Sequence, residues 1–136
     1  MNRKKLITIL ISLIFGIFLV NFMANKFYWY SSIWYFDMIM HFLGGLWIGL
    51  ASIYLFKISD KSVNTIFRVM LSVLLVGIAW EIYEIAVNDV LAQNTFNYLD
   101  TISDIFFDLG GGSTAILYFF TKIMIVNENN VQLENA

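Results

Sequence analysis

One histidine and a small set of carboxylates lie where an apolar chain tolerates them least. Asp37 and His41 are spaced i, i+4, Glu81 and Glu84 are spaced i, i+3, and Asp100, Asp104 and Asp108 are spaced i, i+4, i+8. Residues three or four apart share one face of a helix, so each set forms a polar stripe. A single imidazole among carboxylates is a donor set for a divalent cation. Oxygen-rich ligation suits Mg²⁺, Mn²⁺ or Ca²⁺, and a His among the ligands admits Zn²⁺ or Fe²⁺. The expected metal ligands are therefore Asp37, His41, Glu81, Glu84, Asp100, Asp104 and Asp108, with Mg, Mn, Zn or Fe as the ion. No organic cofactor is indicated. The chain has no Cys, which excludes a disulfide framework, a thiolate metal site and a thiol nucleophile.

The elements that must position these residues follow from composition. The 136 residues are 60% hydrophobic and only 13% charged, against about 45–50% apolar and about 25% charged for soluble domains. Disorder is excluded by the apolar content. Eight basic against ten acidic residues leaves no basic surplus for nucleic acid. A spanning helix needs about 20 mostly apolar residues, and segments near 5–23, 38–56, 66–87 and 104–126 qualify. The expectation is an all-α integral membrane bundle of four transmembrane helices over residues 1–126, followed by a polar, frayed tail over 127–136. The first segment follows Arg3, Lys4 and Lys5 as a signal peptide would, yet no A-x-A-like cleavage site follows it. It is read as an uncleaved helix.

Basic residues gather on cytoplasmic loops. Arg3, Lys4, Lys5, Lys57, Lys61, Arg68 and Lys122 fall on one side and Lys26 on the other. Both termini are accordingly expected in the cytoplasm, in a multi-pass protein of the cell membrane. The connection over residues 24–36, dense in Phe, Tyr and Trp, reads as an anchor at the outer membrane–water boundary.

Sorting the acids by depth places Asp37, Glu81, Glu84, Asp89, Asp100, Asp104 and Asp108 in the outer half, where the cations are Lys26 and, if protonated, His41. A central Asp facing lipid costs roughly 2.5–3.5 kcal/mol on insertion scales, so the stripes should turn inward. Gly44, Gly45 and Ile48 continue the Asp37–His41 stripe, and Gly77 and Asn88 extend that of Glu81–Glu84. Gly111 or Gly112 and then Ala115 continue the Asp stripe of the last helix. Small residues mark helix–helix contact in membranes. Crowded carboxylates cannot all ionise in low dielectric; either several stay protonated or a cation completes the site.

Plainer readings stand beside these. His41 could be a neutral core histidine, and Glu81 and Glu84 could be protonated and hydrogen-bonded. Asp100, followed by Thr101, could be only a helix cap. Asn88 and Asp89 read as loop, and Trp80 beside Glu81 reads equally as packing or as a substrate contact. Gly45-x-x-x-Gly49 and Gly110–Gly112 read as close-packing surfaces rather than a phosphate loop. Paired Glu-x-x-His motifs, the mark of a di-iron carboxylate bundle, are absent.

Taken together, Asp37-x-x-x-His41-Phe42-x-Gly44-Gly45, Trp80-Glu81-x-x-Glu84 and Asp100-Thr101-x-x-Asp104-x-x-x-Asp108-x-x-Gly111 resemble the YjdF-like family of small bacterial inner-membrane proteins. The Asp-x-x-x-His-Phe piece is similar, more weakly, to VanZ-like membrane proteins. The resemblance covers roughly Tyr35 to Ala115 and implies a membrane fold and the acidic motif set, without a reaction.

The functional expectation is an outward-facing metal site, with a metal-dependent enzyme acting on a lipid headgroup or lipid-linked substrate as its fullest form. Two alternatives stay open: a cation or proton pathway, and a non-catalytic assembly partner. The expected partners are membrane lipids, such a substrate, and another copy or another membrane protein docked through the Gly-rich faces.

Overall fold

The computed structural model describes residues 3–87 and 97–134, with side chains as far as residue 122. Those residues are all-α. The elements are α1 (Arg3–Lys26), α2 (Trp29–Ser32), α3 (Phe36–Leu55), α4 (Val63–Val87) and α5 (Tyr98–Glu134). Among the described residues, α1, α3 and α4 are long and apolar enough to cross a membrane. α5, which contains the fourth expected segment, is not among them.

The helices start earlier than the apolar runs alone indicate, because polar residues supply the ends. α4 begins at Val63 because the Ser62 hydroxyl accepts the Thr65 backbone N–H at 3.1 Å, a side-chain cap on an otherwise unsatisfied donor. The neighbouring Asp60 carboxyl is held below its ordinary range, chiefly by the Ser62 hydroxyl. Residues 127–134, expected as a frayed tail, continue α5 as helix to Glu134. That stretch contains neither Pro nor Gly to stop it. At 37 residues α5 runs about 55 Å at the usual rise per residue, longer than the roughly 30 Å hydrocarbon layer.

α3 and α5 form the most extensive contact and run parallel, Gly45 lying against Asp108 and Gly49 against Gly112 and Ala115. α4 runs antiparallel to both, with Gly77 opposite Asp108 and Val73 opposite Gly112. α1 packs antiparallel on α3, where the Trp47 indole Nε1–H donates to the Leu10 carbonyl at 3.0 Å. One end of the bundle is filled by a core that includes Leu6, Leu10, Ile53, Val69, Ala115 and Phe119. At the other end, Trp29 and Tyr30 of α2 set their rings edge-on to Phe36. Large apolar side chains such as Phe15, Phe18 and Phe22 point outward from α1, as a lipid-facing helix requires.

The α3–α5 seam exists because it lacks side chains. A Cβ on Gly45 would fall onto the Asp108 backbone carbonyl, and one on Gly111 onto the Phe42 carbonyl and, at 2.5 Å, the Leu46 nitrogen. Gly44, expected on the same inward stripe, meets nothing within 4 Å; the helix turns Gly45 and Gly49 inward instead.

α3 ends in a left-handed cap. Ile58 N–H donates to Ile53 O at 3.1 Å and Lys57 N–H to Tyr54 O at 3.3 Å, with Lys57 at φ 53. Glycine is the usual occupant of this position, and a side chain there costs about 1–2 kcal/mol.

The seam makes a paired prediction. Gly45→Ala and Gly111→Ala should each destabilise by about 1–3 kcal/mol, the usual cost of overpacking, whereas Gly44→Ala should leave stability unchanged or slightly raised. Thermal melting of the purified protein in detergent, followed by tryptophan fluorescence, checks this. Equal melting of Gly45→Ala and Gly44→Ala would refute the seam.

Candidate metal centre

Three helices bring their charged stripes to one depth. The first turns of α3 carry Asp37 and His41, the last turns of α4 carry Glu81 and Glu84, and the start of α5 carries Asp104 and Asp108. Parallel running of α3 and α5 sets Asp104 and Asp108 level with His41, and the antiparallel α4 brings Glu81 back to the same level.

His41 is the hub. Its Nε2 lies 3.9 Å from Asp37 Oδ1, 4.0 Å from Glu81 Oε1 and 3.9 Å from Asp104 Oδ2. Its other nitrogen, Nδ1, lies 3.4 Å from Asp108 Oδ1. His41, Glu81, Asp104 and Asp108 are buried, while Asp37 and Glu84 are partly exposed and mark the opening. Ligand atoms of Asp37, His41 and Asp104 lie within 4.8 Å of one another, as do those of His41, Glu81 and Glu84.

The two sides of the imidazole differ. Charge-assisted hydrogen bonds close to about 2.7–2.9 Å, so the three contacts near 4 Å at Nε2 are not hydrogen bonds. Donors at about 2.0–2.2 Å from one ion stand roughly 3–4 Å apart when they subtend right or wider angles. The three Nε2–oxygen distances match that spacing, and the donors form two triads that share His41, one with Asp37 and Asp104 and one with Glu81 and Glu84. Asp108 is nearer, on the far side of the ring. Its carboxylate occupies space left by Gly77, where a Cβ would lie 2.6 Å from Asp108 Oδ2. A carboxylate behind the second nitrogen of a ligating His commonly fixes the ring and its tautomer.

Buried polar atoms ordinarily have partners. Among the described residues Glu81 Oε1 and Asp104 Oδ1 have none, nor does Ser103 Oγ. Glu81 and Asp104 are 5% and 2% exposed. Two carboxylate oxygens without donors, one of them (Glu81 Oε1) 4.0 Å from the lone imidazole, leave lone pairs to be satisfied. The negative charge reaches the interfacial helix: the Tyr30 hydroxyl, which donates to Asn21 Oδ1 at 2.7 Å, is pushed up to about 12, first by burial and then by Asp37 and Glu84.

Of the seven expected ligands, the structure brings six around His41 or onto it: Asp37, His41, Glu81, Glu84, Asp104 and Asp108. Asp100 sits exposed in the first turn of α5, a turn beyond Asp104. It is not the helix cap either, since Asn97 precedes the first helical residue. Asn88 and Asp89 lie outside the described residues. Ser103, whose buried Oγ has no partner, is not singled out by the sequence; its only signal there is its place beside Asp104 on α5.

Over residues 1–124 the sequence matches the model of a family described as Predicted membrane protein (DUF2238). The chain belongs to that family. No curated protein and no solved structure matches it. Within this DUF2238 chain, the membrane assignment and the apolar helices agree, and the polar residues that interrupt those helices converge on one cluster.

Because the chain has a single His, uniform histidine labelling with ¹⁵N reports His41 alone. Asp108→Asn and Gly77→Ala should both shift its ring-nitrogen resonances, Nδ1 most, and Gly44→Ala should not. Unmoved resonances in both variants would show that Asp108 does not set the ring.

Proposed function

We propose that this protein binds one divalent metal ion at His41 Nε2, with Asp37, Glu81, Glu84 and Asp104 as oxygen donors. The observation that carries the reading is the donorless, buried Glu81 Oε1 at 4.0 Å from the single imidazole, with Asp104 turning Oδ2 toward the same nitrogen while its Oδ1 is likewise buried without a donor. A protonated His41 supplies one positive charge, and five carboxylates surround it. The mixed nitrogen and oxygen donor set favours Mn²⁺, Fe²⁺ or Zn²⁺, with Mg²⁺ as the oxygen-preferring alternative. Asp100, outside this shell, contributes field rather than ligation.

In this reading the basic end, and with it both termini, is cytoplasmic, which the gathering of basic residues there supports. α5 serves as the fourth span of a multi-pass protein of the cell membrane, and the metal site faces outward. The three-part motif aligns the chain with YjdF-like more than VanZ-like proteins. An outward metal site at the depth of the aromatic helix α2 suits a lipid headgroup or lipid-linked substrate. A bound ion there polarises a phosphoryl or ester oxygen or activates water. Glu84, at the opening, is placed to accept a proton, and Asp37 shares the rim. A through-pathway for cations is disfavoured by the buried apolar core at the other end, where Leu6, Ile53 and Phe119 close the axis and ion routes need polar lining.

Elemental analysis of the full-length protein purified from membranes tests the metal. Close to one equivalent of Mn, Fe or Zn is expected in the parent, with at least a tenfold loss in His41→Ala and Asp104→Asn. Absence of metal, together with a melting temperature unmoved by added Mn²⁺, Zn²⁺ or Mg²⁺, overturns the proposal.

A further inference from the structure

At the end of the bundle opposite the metal centre, a cavity of about 240 Å³ lies between the start of α1 and the end of α3. Its floor is apolar, formed by the buried Leu6, Ile53 and Phe119. Its mouth carries the exposed Arg3, Lys57 and Ser59. Among the described residues, no carboxylate lies within 4.0 Å of the charged nitrogens of Arg3 or Lys57. The nearest acidic loop residue, Asp60, is engaged by Ser62 and Thr65.

Both cations are held in position. The Arg3 guanidinium lies 4.6 Å over the Tyr54 ring and donates through Nη2 to the Tyr54 carbonyl at 3.4 Å. Lys57 occupies the left-handed cap of α3, at φ 53, where glycine is the default. Backbone strain retained in a non-glycine residue is a pointer to function, and here it fixes where the ammonium leaves the helix.

We propose that this cavity binds an anionic phospholipid, with Arg3, Lys57 and the Ser59 hydroxyl meeting the phosphate and the Leu6–Ile53–Phe119 floor receiving the top of an acyl chain. Two cations and a hydroxyl match a phosphodiester; the apolar floor matches the chain attached to it. Basic pockets between membrane helices recognise such headgroups. The site is independent of the metal centre.

The strained position supplies a variant that keeps the fold. Lys57→Gly removes the ammonium and relieves the cap, so it should melt no lower than the parent. Lys57→Asn, which also tolerates the left-handed conformation, repeats the test. The full-length protein in a nonionic detergent is titrated with phosphatidylglycerol, with phosphatidylcholine of the same chains, and with inorganic phosphate. Bound lipid is counted by native mass spectrometry. Phosphatidylglycerol should bind the parent at least tenfold more tightly than phosphatidylcholine. Its affinity should fall about fivefold in Lys57→Gly and about twentyfold when Arg3→Gln is added. A Lys26→Gln control at the other end should bind as the parent does. Equal binding of the two lipids, or unchanged binding in both Lys57 variants, overturns the proposal. Competition by inorganic phosphate without any binding of phosphatidylglycerol overturns the lipid assignment.

Discussion

Everything in this structure depends on how closely α3 and α5 approach. Two parallel helices carrying ordinary side chains stand about 8–10 Å apart. Here Gly45 and Gly111 let each backbone lie against the other, and Gly49 faces Gly112 and Ala115. In lipid, where apolar association has no hydrophobic drive, such contact is what holds helices together. The same approach decides the chemistry. Gly45 is one helical turn below His41 and sits on the backbone of Asp108, so the packing contact and the polar cluster share one register. α4 then closes the third side through Gly77, whose missing side chain is filled by the Asp108 carboxylate.

Electrostatics set the second constraint. Burying an unpaired charge is costly enough that groups ordinarily neutralise or pair. At the acidic end the burial is real, since His41, Glu81, Asp104 and Asp108 are at most 7% exposed, and among the described residues the cation within 4.0 Å of their carboxylates is the His41 imidazole. The basic residues other than Lys26 gather at the other end, with the bundle between. Compensation for the cluster therefore has to come from protons or from an ion.

Much of this was legible in the sequence because lipid is a simple solvent. Apolar runs of spanning length identified α1, α3 and α4, and spacings of three and four placed Asp37, His41, Glu81 and Asp104 on inward faces. What the spacing could not carry was angle and depth. Gly44 and Gly45 are neighbours in sequence, yet only Gly45 meets α5, because one residue turns the face by about 100°. Asp100, Asp104 and Asp108 share a stripe, yet α5 carries Asp100 out to the exposed rim while Asp104 and Asp108 stay in the seam. The division of the imidazole into an Asp108 side and a three-carboxylate side depends on a ring rotamer, which sequence does not encode. The continuation of α5 to Glu134 has a different cause: Asn and Glu lower helix propensity only modestly relative to Gly and Pro, and residues 127–134 contain neither.

The helix dipoles sharpen the question of why the acids are where they are. Carboxylates are favoured at helix N-termini and disfavoured at C-termini. Asp37 in the first turn of α3 and Asp100 in the first turn of α5 are well placed. Glu81 lies further along α4, with no such help. The chain keeps it buried with an unpaired oxygen, and the neighbouring acids repel its charge. A cation bound among these side chains would reverse the repulsion and satisfy the unpaired oxygen, which is the strongest physical reason for reading the cluster as a metal site rather than as a polar core.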